Sequence, residues 1–231
     1  MTSTSESGSV QVGILGVGAI TQIVHLPILS ERLDVDLVAV SDPDHLKAET
    51  LGARFGVPRV LSNEEILSDD QIQAAVICTP NHLHESLAIE ALERGKHVLV
   101  EKPMTTTAAD ARRILASAES SDKVLAIGYQ RHGDGRFIRA RELLQTGAIG
   151  EVRLVHVIIA QDCLGYFQPG ASWRANPALS GGGHFMDTGS HINDILLWTT
   201  GLEPRRVQSF INKEGTDVDV LTAVTVEFTN G

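Results

Sequence analysis

Four short constellations in this 231-residue chain bring together side chains able to do chemistry. The first is Gly16-x-Gly18-x-x-Thr21, directly after the apolar run at residues 10–15. Gly16 permits a tight turn, and Gly18 lets a pyrophosphate approach the backbone where Ala19 and Ile20 open a helix. Asp42 follows 24 residues after Gly18, at the end of a second apolar run. A carboxylate there accepts hydrogen bonds from both adenosine ribose hydroxyls and repels a 2′-phosphate, and no Lys or Arg follows it before Lys47, which favours NAD over NADP. Thr21 stands where the fingerprint usually has Gly or Ala. A lone GxG in a chain with 21 glycines is ordinarily only a turn; strand, glycines, helix and downstream acid together point to a dinucleotide.

The second is Thr79-Pro80-Asn81-His82-Leu83-His84, after an apolar run and so at the carboxyl edge where open α/β sheets bind ligands. Asn81 can equally be a plain helix cap, and His84 can simply occupy the first turn of that helix. The third, Glu101-Lys102-Pro103, ends another run. In a cleft beside a nicotinamide, Lys102 would hold a substrate hydroxyl; on spacing alone, a surface Lys–Glu pair is the commoner meaning. The fourth is Gly181-Gly182-Gly183-His184-x-x-Asp187-x-x-x-His191-x-x-Asp194. Asp187 and His191 are four apart, share one face of a helix and can couple as an acid–base pair. His184 and Asp194 fall on nearly the same stripe, but one helix rarely supplies more than two metal ligands and no second cluster completes a shell, so no metal is expected.

The elements that must position these groups follow from the punctuation. Apolar runs at residues 10–15, 37–40, 74–78, 98–100 and 124–127 each stop at Gly, Pro, Asn or Asp signals, with helix-like stretches at 20–30, 44–55, 82–94 and 108–120 between them. That alternation predicts a doubly wound parallel sheet. After Gly150 the pattern changes. The β-branched run 152–160 predicts a longer strand, a Gly/Pro-rich loop follows, 185–200 reads as a helix, and 206–211 and 218–229 read as antiparallel strands. The expected organisation is a disordered tail at 1–9, a dinucleotide-binding domain at 10–130 and a partial α+β domain at 131–231.

Composition narrows the partners. With 42% apolar and 21% charged residues the chain is ordinary globular material. Nineteen basic against 29 acidic residues give a net charge of −10, which repels phosphate backbones and anionic lipid. No apolar run reaches the roughly 18 residues of a membrane helix, and the N-terminus lacks the features of a secretory signal. Cys78 and Cys163 make no disulfide framework, and a reducing cytoplasm is the expected compartment.

The segments GILGVGAITQIVHLPIL, VICTPNHLHESLAIEALERGKHVLVEKPMTTT and GGGHFMDTGSHINDILLW, in that order, resemble the glucose–fructose oxidoreductase/inositol dehydrogenase (Gfo/Idh/MocA) family over essentially the whole chain after residue 10. The resemblance implies a Rossmann domain followed by an α+β domain with a mostly antiparallel sheet. It also implies NAD or NADP as cofactor and hydride transfer at a carbinol carbon of a sugar, cyclitol or related polyol. Carried over by position, Lys102 holds the reacting hydroxyl, Asp187 is the carboxylate beside it, and His191 is the general acid–base. Gly16, Gly18, Ala19, Ile20, Asp42, Thr79, Pro80, Asn81, His84, Glu101 and Lys102 are the expected cofactor residues, with Asn81 and His84 at the nicotinamide half. Trp173-Arg174 matches a pair bordering the substrate cavity, or equally a packing tryptophan beside a solvated arginine. The family implies a homo-oligomer, a dimer or tetramer. Its members run further, so this chain is expected to be a C-terminally truncated one, with residues 220, 224, 226 and 228 exposed or packed on another subunit. A redox-assisted glycosidase with retained NAD, a non-catalytic NAD-binding regulator, and a truncation that binds NAD without turnover are the alternatives.

Overall fold

The structure, a computed structural model, describes residues 8–230; the expected N-terminal tail lies, up to residue 7, outside the described residues. The chain divides into two compact units, at residues 1–127 and 128–231.

In the first unit, β1 (Val10–Leu15), α1 (Leu26–Ser30), β2 (Val35–Ser41), α2 (His45–Phe55), β3 (Arg59–Val60), α3 (Asn63–Ser68), β4 (Ala74–Ile77), α4 (His84–Glu93), β5 (His97–Val100), α5 (Ala108–Ser120) and β6 (Leu125–Ile127) alternate along the chain. The strands form one parallel sheet in the order β3-β2-β1-β4-β5-β6. Chain progression therefore reverses between β1 and β4, and that switch point is where doubly wound sheets open a crevice. Because side chains alternate across a strand, each face has its own core. Val12, Ile14, Val40 and Val76 pack with Leu26 of α1 and with Ala48 and Leu51 of α2. Leu15, Ile77, Val98 and Val100 pack with Ile66 and Leu67 of α3, Ala88, Ala91 and Leu92 of α4, and Ile114 of α5. Short apolar runs buried on both faces are what parallel strands require.

The second unit contains α6 (Gly135–Gln145), α7 (Leu164–Phe167), α8 (Pro177–Ser180), α9 (His184–Asp187), α10 (Gly189–Thr200) and an antiparallel pair, β7 (Pro204–Asn212) and β8 (Leu221–Phe228). Three expectations fail here. The run 152–160 is not a strand: no described strand pairs with it, and Leu154 and Ile158 are exposed. β-Branched composition favours a pleated surface only when a neighbour supplies it. The expected helix 185–200 is two helices broken at Thr188. Val224, Val226 and Phe228 are half-buried and Val220 is buried, rather than bare. With 155–164 and α10 they line a cavity of about 960 Å³ inside this unit.

Candidate functional site

In the first unit the glycine turn is built tightly. Gly16 has φ +92°, and a Cβ there would lie 2.7 Å from the Cys78 carbonyl oxygen, so only glycine fits between the ends of β1 and β4. Beside Gly18 the space is open, with no atom within 4 Å of where a Cβ would sit. Thr21, the departure from the fingerprint, is fully buried and donates its hydroxyl to the Gly16 carbonyl at 2.7 Å, closing the turn from within. The helix after Ala19 and Ile20 passes through a π-helical stretch, Thr21–His25, before α1, a distortion frequent near functional sites.

Asp42 is held rather than dangling. Its Oδ2 accepts from Val17 N–H at 2.9 Å and its Oδ1 from Asp44 N–H at 3.0 Å. Lys47 brings its Nζ to 2.9 Å from Oδ1. Position in the sequence hid this: α2 carries Lys47 back onto the carboxylate, so the acid has a cation beside it.

Across the switch point, Thr79 Oγ1 is buried with no hydrogen-bond partner among the described residues, and Pro80 starts the turn in which Asn81 is buried. The N-cap of α4 is Leu83, so capping α4 is not Asn81's task. His84 is 1% exposed, with Nδ1 2.9 Å from the Pro103 carbonyl oxygen and Nε2 2.9 Å from that of Thr79. Burial holds its pKa below the ordinary value. As a neutral imidazole it donates its one N–H to one of these carbonyls and packs against the other, between the Thr79 loop and the Lys102–Pro103 turn, whose peptide bond is cis.

Glu101 joins this frame through a residue that motif reading missed. His25, at the end of the π-helical stretch, places Nε2 2.8 Å from Glu101 Oε1, while Glu101 Oε2 accepts from Lys102 N–H at 3.1 Å. Burial opposes charge on His25, but hydrogen bonds to Cys78 and Glu101 outweigh it and raise its pKa to about 10. Burial likewise opposes charge on Glu101, and the hydrogen bond from His25 outweighs it and lowers its pKa. The backbone of Lys102 is thus held by an ion pair formed within this unit.

In the second unit, Asp187 ends α9 and His191 lies in the first turn of α10, with His191 N–H bonded to the Thr188 carbonyl at 3.2 Å. Arg174 Nε lies 3.6 Å from Asp187 Oδ2, and its guanidinium stacks 4.4 Å above the Trp173 ring. The Tyr129 ring meets the His191 ring edge-on at 6.2 Å. The other two members of the stripe go elsewhere. Asp194 stands 2.8 Å from His132 Nε2, and burial raises its carboxyl pKa. His184 Nε2 lies 3.0 Å from Gln161 Oε1. Among the described residues no three His, Cys, Asp or Glu side chains converge as a metal site.

Comparisons with known proteins identify the family. Residues 10–129 match a family described as "Oxidoreductase family, NAD-binding Rossmann fold", and residues 137–231 match the GFO/IDH/MocA C-terminal domain. D-glucoside 3-dehydrogenase of Escherichia coli is 30% identical over 202 residues, 87% of this chain and 57% of that protein. Inositol 2-dehydrogenase 1 of Saccharopolyspora erythraea is 32% identical over 203 residues, 86% of this chain and 57% of that protein. The crystal structure of GenD2 from gentamicin A biosynthesis, in complex with NAD, superposes with a TM-score of 0.83 at 29% identity, covering 97% of this chain and 64% of that one. The chain spans about half the length of the curated relatives it matches.

Proposed function

Because the chain belongs to the Gfo/Idh/MocA oxidoreductase family, we propose that it works as an NAD-dependent dehydrogenase on a secondary hydroxyl of a sugar, cyclitol or related polyol. The observation that carries the cofactor half is the open space beside Gly18 at a strand–helix turn, with Asp42 anchored at 2.9 Å to Val17 N–H. The buried, unbonded hydroxyl of Thr79 suits the same occupant. Names of relatives, a glucoside dehydrogenase and an inositol dehydrogenase, support the substrate class.

When bound, NAD would supply the hydride acceptor for a carbinol C–H. The residues divide the remaining work. Gly16, Gly18, Ala19 and Ile20 present the turn and helix start to the pyrophosphate, and Asp42 accepts from the ribose hydroxyls. Thr79, Pro80, Asn81 and Glu101 wall the nicotinamide side, with His84 bracing the two loops that carry them. Lys102 donates to the reacting oxygen and stabilises its developing negative charge. His191 takes the hydroxyl proton, and returns it in the reductive direction. Asp187, with Arg174 beside it, fixes the charge around that transfer, and Trp173 borders the sugar. A panel of sugars, inositols and sugar acids with NAD, followed at the reduced-nicotinamide absorbance, tests the reading. Reduction of NAD by at least one polyol is expected. Net hydrolysis of a glycoside with NAD recovered unchanged would select the glycosidase alternative, and NAD binding with no turnover on any substrate would select a non-catalytic binder.

A further inference from the structure

One residue outside every motif organises the turn that leads to Asp187. Asp219 lies 36 positions after Gly183, in the loop before β8. Its Oδ1 accepts from Gly183 N–H at 2.7 Å, its backbone carbonyl from His184 N–H at 2.8 Å, and its Oδ2 from Phe185 N–H at 2.7 Å. Three consecutive backbone donors of the GGGHF segment are captured by a single residue. These are the first N–H groups of a helix, the ones with no acceptor inside it. α9 has only four residues and makes few bonds of its own, so this external set is a large share of what fixes it.

The contact also explains the third glycine. A Cβ on Gly183 would sit 1.9 Å from the Asp219 carbonyl oxygen and 2.8 Å from its carbonyl carbon and amide nitrogen, all backbone atoms that a side-chain rotation cannot move aside. Asp219 is itself anchored. Val218 and Val220 on either side are buried with Phe167, and Thr222 Oγ1 donates to Asp219 Oδ2 at 3.3 Å. The turn then transmits position directly, because Asp187 N–H bonds to the Gly183 carbonyl at 2.9 Å.

We propose that Asp219 is a positioning residue for Asp187, setting the Gly183–Phe185 backbone from which the Asp187 carboxylate is presented. The proposal rests on the role given above to Asp187, and the test separates the two. Asp219→Asn keeps the shape and one acceptor oxygen but turns an NH₂ group toward a backbone donor. Amide exchange over residues 181–188, read by mass spectrometry on the full chain with and without NAD, should accelerate at least tenfold, with exchange in β1 and β4 and the affinity for NAD unchanged. With myo-inositol or D-glucose, whichever the chain oxidises, kcat should fall at least tenfold while KM moves less than threefold. Gly183→Ala should reproduce both effects. Thr222→Val, a milder change, should accelerate the same amides two- to threefold, and it carries the test if the Asp219 variant fails to fold. Unaltered exchange over 181–188 in Asp219→Asn, or in Thr222→Val where that variant carries the test, would overturn the proposal. So would accelerated exchange with parental kcat in Asp219→Asn, provided Asp187→Asn abolishes turnover. Parental kcat in Asp187→Asn would instead overturn the role of Asp187 and leave the exchange result to stand for the positioning of the turn.

Discussion

Asp42 shows how one ion pair changes a specificity argument. A lone carboxylate at the end of β2 would reject a 2′-phosphate by like-charge repulsion, a cost of several kcal/mol in a desolvated site. Lys47 at 2.9 Å neutralises part of that charge and is itself accessible enough to turn toward a phosphate. NAD is therefore expected to bind better than NADP by only about 1–2 kcal/mol. Asp42→Ala should narrow or invert the gap, and Lys47→Ala should widen it. Titration calorimetry with both cofactors checks this, and a Lys47→Ala variant that gained affinity for NADP would refute the part given to the lysine. The reacting groups make a second residue-scale test. His191→Ala and Lys102→Ala should each lower kcat by a factor on the order of 10²–10⁴ with NAD affinity nearly intact, as expected for loss of an acid–base or a charge stabiliser. Near-parental turnover in both would remove them from the chemistry.

The strand ends and the helices between them place the cofactor residues, and the bond from His25 to Glu101 ties the helix after the glycine turn to the end of β5. Its stability contribution has a definite pH window. His25 has its pKa raised from 6.5 to about 10 on folding, so its contribution is complete below pH 6.5 and lost as pH rises toward 10. Glu101 has its pKa lowered from 4.5, so its contribution is present above that value and fades as pH falls through the lowered one. The melting temperature of His25→Gln should thus lie furthest below the parent near pH 6 and converge on it by pH 10; a constant difference across that range would show that the pair is neutral. Much of this element level was legible beforehand. Each short apolar run in the first 127 residues ends at a glycine, proline or aspartate, and these became β1, β2, β4, β5 and β6. β3, with two residues, was too short for any periodicity to register, and the run 152–160 had the composition of a strand without a partner. The contacts of His25 and Asp219 were hidden because each bridges distant parts of the chain, whereas Lys47 is only five residues from Asp42 and its contact depends on how α2 turns back. Only the three successive glycines at 181–183 hinted that a backbone must come close there.

At the scale of the molecule, the two-stranded sheet of the second unit is the feature with the plainest physical consequence. A pair of strands has two open edges among the described residues, and isolated pairs are marginal in water. β7 is exposed along its whole length, with Val207 at 59%, Phe210 at 85% and Ile211 at 58%. Phe210 lies on one face of the pair and Val207 and Ile211 on the other, opposite Val226 and Thr222. Burying one such side chain is worth roughly 1.5–3 kcal/mol, so covering this strand with a second copy of the chain would recover that gain. The net charge of −10 opposes that association. Its range shrinks to about 10 Å at 0.1 M salt and about 3 Å at 1 M, whereas the apolar gain does not weaken with salt. The chain should therefore sediment as a monomer or weak dimer at low ionic strength and shift to larger species as salt rises, binding a hydrophobic dye in its monomeric form. Phe210→Lys, which places a charge at the most exposed position of the strand, should hold it monomeric at the same salt and lower dye fluorescence. A parent chain that stays monomeric and dye-negative from 0.02 to 1 M salt, about a sevenfold change in screening length, would mean that the exposed strand has no tendency to pair and that the oligomer expected from the family is formed through another surface.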